Sequence, residues 1–199
     1  MIYTVRSGDT LTKIAKAYGM TLADLLSMNP HIVNPNIVYV GNRLNIAAPE
    51  AVATANIPEW LRIAEKERGT MEIVGPGEHN PRILDYHSAT SLKATDDETP
   101  WCSAFVCWVM EQAGYRSTRS AAALSWLRWG KVLPGPQVGA IVVFRRGNAW
   151  QGHAGFIYNH SDDELIAVLG GNQSNRVNVT PYKRSKVAGY RWPRLEDRR

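Results

Sequence analysis

The sequence predicts an α+β protein in two parts: a small strand–helix–helix–strand unit, then a larger domain with N-terminal helices and an antiparallel sheet. Three observations carry this. Helical 3-4-7 spacing recurs in two short N-terminal stretches and in two longer ones further on. Short β-rich runs divided by Gly, Asn or Asp fill the last third of the chain. Between the two parts lies a run without clear period, bracketed by prolines. At 199 residues, 44% hydrophobic and 21% charged, the chain has the composition and length for one small domain and one of ordinary size.

In the first part, Tyr3-Thr4-Val5 reads as a strand and Ser7-Gly8-Asp9-Thr10 as a turn. Asp9 or Thr10 can cap a helix through Leu11, Ile14, Ala15 and Tyr18, which Gly19 ends. Thr21 starts a second helix through Leu22, Leu25 and Leu26, stopped by Asn29-Pro30. Val38-Tyr39-Val40, a Gly41-Asn42 turn and Arg43-Leu44-Asn45-Ile46 complete the unit, residues 1–47. Residues 48–58 read as a linker. In the second part, residues 59–199, helices are expected over Glu59–Gly69 and from about Pro100 to Gly114. Strands are expected at 139–144, 154–158, 164–169, 176–179 and 188–192.

Composition narrows the function. No apolar run approaches the ~20 residues needed to cross a bilayer, so membrane insertion is not expected. The N-terminus lacks the charged and apolar regions of a signal peptide. A net charge of +5 suits a soluble surface or attraction to a polyanion such as a bacterial envelope. The Lys and Arg residues are dispersed, which argues against nucleic acid. Cys102 and Cys107, five apart in one expected helix, point to different faces and make neither a disulfide nor a cysteine-rich zinc site.

One cysteine stands where chemistry is expected. In Thr99-Pro100-Trp101-Cys102-Ser103, Thr99 suits the N-cap and Pro100 the first helical position, which puts Cys102 in the first turn. There free N–H groups and the helix dipole favour a thiolate, and neighbouring N–H groups can hold an oxyanion. Cys107 reads as packing. Such a nucleophile needs a histidine. Of five, His31 lies in the first unit, His79 and His87 in a loop-like region, and His160 in a turn. His153 opens a central strand and can face the helix N-terminus. Asn172, after Leu169-Gly170-Gly171, lies a hairpin's length on and can fix the imidazole tautomer, with Gln173 as the second choice. Trp150 is placed to wall a substrate groove, whereas Trp126 and Trp129 read as core.

Residues 2–47 closely resemble a LysM module, through Tyr-x-Val-x-x-Gly-Asp-Thr-Leu, Ile-Ala, Leu-x-x-x-Asn-Pro and Gly-x-x-Leu-x-Ile. The resemblance implies binding of N-acetylglucosamine glycan in a groove where Gly8, Asp9, Thr10 and Leu11 face Asn36, Ile37 and Val38. Residues from about 60 to 193 resemble the CHAP amidohydrolase/peptidase group within the NlpC-type, papain-like cysteine peptidases. The closest likeness is in Trp101–Val106, Gly152-His153 and Gly170-Gly171-Asn172-Gln173-Ser174. This implies a papain-like fold and cleavage of peptidoglycan amides with Cys102, His153 and Asn172 in the three roles. The chain departs from the group's common pattern at two points. Many members carry Glu after the His strand, where this chain has Gly170-Gly171-Asn172. Many have Gln shortly before the Cys, where this one has Glu98-Thr99-Pro100.

The combined expectation is a monomeric, cofactor-free and metal-free peptidoglycan hydrolase. It resembles a phage endolysin, made in a host cytoplasm and reaching the stem peptide and glycan of the wall after release. A non-catalytic wall-binding or tail-associated structural protein is the alternative from another class. A metal hydrolase using Glu78, His79, Asp85 or His87 lacks the helical His-Glu-x-x-His spacing. No paired carboxylates point to a glycosidase.

Overall fold

The computed structural model describes residues 2–5, 8–17, 22–32, 34–46, 57–75, 77–147, 151–160 and 164–199. It divides into two units, Met1–Asn56 and Ile57–Arg199, with separate cores.

The first unit runs β1 (Ile2–Thr4), α1 (Leu11–Ala17), α2 (Leu22–Ser27) and β2 (Arg43–Asn45). The strands pair antiparallel with Tyr3 opposite Leu44. Leu11, Ile14 and Ala15 share one helix face and meet Val5, Leu25, Leu44 and Ile46 in a small core. Asn29 is buried, and its amide ties α2 to β2. Nδ2 donates to Leu25 O (2.7 Å) and Asn45 O (2.6 Å), while Oδ1 accepts from Asn45 N (2.7 Å).

In the second unit α3 (Glu59–Lys66), α4 (Pro81–Ser88) and α5 (Cys102–Gln112) precede a 3₁₀ turn at Ala123–Arg128. Then come β3 (Lys131–Leu133), β4 (Ile141–Arg145), β5 (Gly152–Asn159), β6 (Leu165–Gly170), β7 (Asn178–Lys183) and β8 (Val187–Trp192). They form a six-stranded sheet, ordered β3-β8-β4-β5-β6-β7, with every neighbouring pair antiparallel. α5 is buried on nearly all sides, which is why Ala104-Phe105-Val106-Cys107 shows no polar face. Ile141, Val143, Ala154, Phe156 and Leu169 on one sheet face join the helices, while Val142, Phe144, Ile157, Ile166 and Val168 form a second core on the other. Burial on both faces accounts for the unbroken apolar runs of β4 and β5.

Four elements differ from expectation: β3 lies outside the expected strands, the strand expected at 176–179 is β7 at Asn178–Lys183, and α4 and the start of α5 also depart. The region around His79 and His87, read as loop-like, contains α4. Asn80 caps it by accepting from Arg82 N at 2.9 Å, and Pro81 takes the first helical position. Arg82 then forks onto Glu67 with two contacts of 2.7 Å and lies 4.3 Å from the Trp108 ring centroid, tying α3, α4 and α5 together. The helix expected from about Pro100 starts at Cys102, with Trp101 at the N-cap.

Candidate active site

α5 delivers Cys102 to the end of the sheet. The Phe156–Leu169 register, continued, sets Ala154 opposite Gly171, one residue beyond the last of β6. The Ala154 N–H lowers the pKa of the Cys102 thiol there, as do the backbone N–H groups of Cys102 and Ser103. Close packing at this point requires glycine. A Cβ on Gly171 would meet Trp101 Cζ3 at 2.5 Å and Phe105 Cβ at 2.7 Å.

Electrostatically, the thiol differs from expectation. Burial pushes its pKa up, opposed by the Ala154 N–H, the Arg146 charge and the first-turn N–H groups. The helix terminus contributes as foreseen, but enclosure outweighs it. His153 shows the same bias. Burial, with the Arg146 charge beside it, lowers its pKa to about 4, opposed by the hydrogen bond to Gln173. Both groups therefore rest neutral, the cheaper state for a pair taken out of water.

The His153 ring projects with Phe144 and Tyr182, stacked at centroid distances of 6.2 and 5.5 Å. It does not turn to the helix face, and its neighbour Ala154 makes the contact with Cys102. His153 Nε2 lies 3.0 Å from Gln173 Oε1. The Gln173 amide cannot be reversed. Its Nε2 donates to Val168 O (3.2 Å), Asn178 O (2.7 Å) and Asn178 Oδ1 (2.9 Å), so Oε1 faces the ring. His153 must then carry its proton on Nε2, which leaves Nδ1 as the basic nitrogen. Nδ1 is buried without a hydrogen-bond partner.

The residue bonded to His153 is thus Gln173, and the expected contact from Asn172 is corrected. Asn172 adopts a left-handed φ of 52°. That turn reverses the chain after Gly170-Gly171 and aims the following side chain, Gln173, at the ring. Residue spacing alone leaves this one-residue choice open.

Trp150 lies outside the described residues. Trp126 and Trp129 are core residues, their indole N–H groups donating to Ser103 Oγ (3.0 Å) and Arg116 O (2.8 Å). His87 is buried under the loop that leads to α5, and burial lowers its pKa against the pull of Asp96. His79, Asp97 and Glu98 cluster closely enough to hold a metal ion. The Asp97 carboxylate is already occupied, accepting from Ile73 N (3.0 Å) and Asn80 N (2.9 Å) and facing His79 Nδ1 at 3.1 Å.

In the first unit, Gly8 takes a φ of 84°, which only glycine adopts freely. Asp9 accepts from the Tyr3 hydroxyl at 2.7 Å, and Thr10 Oγ1 accepts from Lys13 N at 3.2 Å. Leu11 is 2% exposed and is core, which corrects its expected place in the groove. Asn36 and Ile37 are exposed and Val38 half-buried. Ile37 and Val38, with Asn34, Tyr39 and Asn42, line an open depression of about 400 Å³ that Gly8, Asp9 and Thr10 do not reach.

The fold and site define an α+β unit with a thiol, an imidazole and a carboxamide at one sheet end, preceded by a small βααβ unit. Comparison with known proteins finds a match in each part. Residues 3–47 match the LysM domain, and residues 94–172 match the CHAP domain. The endolysin of Bacillus phage PZA is 52% identical over 44 residues, 22% of this chain and 17% of that protein. The N-acetylmuramoyl-L-alanine amidase XlyA of Bacillus subtilis (strain 168) is 40% identical over 80 residues, 39% of this chain and 25% of the relative. The chain thus spans a quarter or less of these relatives' lengths. A solved NLP/P60-family protein similar to lipoprotein, from Staphylococcus aureus, aligns with a TM-score of 0.41 at 14% identity. That alignment covers 81% of this chain and 53% of the other.

Proposed function

We propose that this chain is a peptidoglycan hydrolase that cuts an amide bond in the peptide part of the wall through Cys102, while the LysM unit holds the glycan. The observation that carries the reading is the sheet end itself. Cys102 opens α5, and at the end of the sheet His153 takes a tautomer that a locked carboxamide dictates. The matched domains and the amidase and endolysin relatives support the same chemistry.

In this mechanism the His153 ring turns toward Cys102 as substrate enters, its Nδ1 takes the thiol proton, and the sulfur attacks the amide carbonyl. The imidazolium returns the proton to the leaving amine, and a thioester remains. Water then adds to the thioester, giving a carboxylic acid and restoring the thiol. Gln173 keeps the Nε2 proton in place throughout and stabilises the transient imidazolium. Because thiol and imidazole both rest neutral, proton transfer accompanies substrate entry. The stacking of His153 on Tyr182 leaves the ring oriented but unbonded at Nδ1. The protein acts on the wall after release from the compartment that makes it.

The test is mass spectrometry of purified peptidoglycan digested with the parent and with Cys102→Ala. New stem-peptide or muramoyl–alanine products from the parent alone are expected, and they identify the bond. Equal products from both proteins remove the cysteine mechanism. No products from either, with wall binding intact, replace it with the binding-protein reading.

A further inference from the structure

The sheet end that carries His153 also carries a cation with a fixed post. Arg146 follows the last residue of β4, and its backbone N–H donates to Gln151 O at 3.0 Å. Its Nη2 donates to the Tyr182 hydroxyl at 2.9 Å, and its guanidinium carbon lies 5.8 Å from that ring's centroid. Tyr182 in turn stacks on Phe144 at 4.6 Å and on His153 at 5.5 Å. Arg146, Tyr182 and His153 therefore form one column, solvent-exposed at the arginine and buried at the histidine.

Arg146 differs from six other arginines of this unit. Arg62, Arg68, Arg82, Arg119, Arg194 and Arg199 each pair with a carboxylate. Among the described residues no carboxylate pairs with Arg146, and its charge acts on both Cys102 and His153. A solvated arginine on a free tether is ordinary, but this one is held by a hydroxyl and a ring that stacks on His153. A guanidinium so held presents a planar fork suited to a carboxylate. A cell-wall stem peptide offers free carboxylates close to its amide bonds.

Resting on the hydrolase reading above, we propose that Arg146, posted by the Tyr182 hydroxyl, binds a free carboxylate of the stem peptide beside the scissile amide. It thereby selects acidic over amidated substrate. Tyr182 acts as a positioning residue for it. The contact also aligns the peptide, because a bidentate pair fixes direction as well as distance.

The experiment uses soluble stem-peptide fragments whose carboxylates are converted one at a time to carboxamides. They are assayed with the full-length parent, Arg146→Gln, Arg146→Lys and Tyr182→Phe, each checked for an unchanged Tm. For the parent, one particular amidation is expected to lower kcat/KM about ten- to hundredfold. Arg146→Gln should lose a similar factor on the free acid and become indifferent to that amidation. Arg146→Lys should recover part of the preference, and Tyr182→Phe should raise KM with little change in kcat. Equal parent activity on every amidated form overturns the proposal. So does an Arg146→Gln variant that loses activity equally on acid and amide, the mark of an effect on the thiol alone. If the parent cleaves nothing, the hydrolase reading has failed, and carboxylate recognition is read from binding. The Arg146 Nε resonance of Cys102→Ala protein must then shift with the free-acid peptide and not with its amide.

Discussion

At the scale of single residues, His153 stands in an environment far from water, and the departure has a measurable sign. Its folded-state pKa is about 4, below the ordinary imidazole value, chiefly because burial opposes the charge. Above pH 6.5 neither folded nor unfolded chain binds the proton, and the group is neutral to stability. As pH falls from 6.5 toward 4, the unfolded chain takes up a proton that the folded one refuses, so stability is lost. The loss reaches about 2–3 kcal/mol near pH 4.5. Urea unfolding of the parent at pH 7 and pH 4.5 should show this drop, and His153→Gln should flatten most of it. His87 shifts in the same direction and remains in both proteins, so the difference isolates His153. An equal drop in both proteins would mean that the imidazole is not enclosed.

At the scale of elements, the connection from β6 to β7 sets the third member of the site. Asn172, Ser174 and Asn175 all have left-handed φ values, of 52°, 55° and 60°. Within this coil Gln173 is held by its own amide group, and Asn178 Nδ2 donates back to Gln173 O at 2.9 Å. Asn178 Oδ1 also accepts from Thr180 Oγ1 at 2.7 Å, which steadies it. These contacts explain why a carboxamide, and not a carboxylate, suits position 173. One end must donate to three acceptors while the other accepts from His153. Gln173→Glu puts a carboxylate oxygen against Val168 O, Asn178 O and Asn178 Oδ1, with no proton to share at pH 7. It should cost about 3 kcal/mol and most of the activity. As pH falls toward the ordinary Glu value the buried carboxyl protonates, so the stability gap between variant and parent should narrow from pH 7 to pH 4 when both are denatured side by side. A fully stable, fully active Gln173→Glu at pH 7 would contradict the locked amide.

The same elements show what the sequence makes legible. α1, α2 and α3 carry apolar periods, α5 opens on the Thr99-Pro100 start signal, and β4, β5 and β6 are long buried runs, so pattern alone locates them. α4 hides behind Gly75-Pro76-Gly77, although Asn80-Pro81 followed by Ile83, Tyr86 and His87 holds its cap and its buried face. β3 is three residues long, below what alternation can reveal. Cys102 and His153 are legible because helix start and strand start are local signals. Gln173 over Asn172 depends on a single left-handed turn, and the high thiol pKa on tertiary enclosure, and neither has a local signal.

At the scale of the whole molecule, separate cores in the two units and a composition that marks residues 48–58 as a tether imply division of labour. The first core draws only on Val5 to Ile46 and the second unit's two cores only on residues after Ile57, so each unit buries its own apolar surface. Deleting the first unit should leave the chemistry of the second intact while removing its hold on glycan. A tether of this length keeps the tethered domain at millimolar effective concentration near the wall, so the benefit exists only where substrate is a surface. Residues 57–199 alone should match the full chain in kcat/KM on a soluble stem peptide, yet need roughly a hundredfold more protein to clear insoluble walls at low concentration. Equal potency on walls would show that the LysM unit contributes no affinity there. A loss on the soluble peptide would show instead that the first unit takes part in the catalytic site, and would count against separate roles.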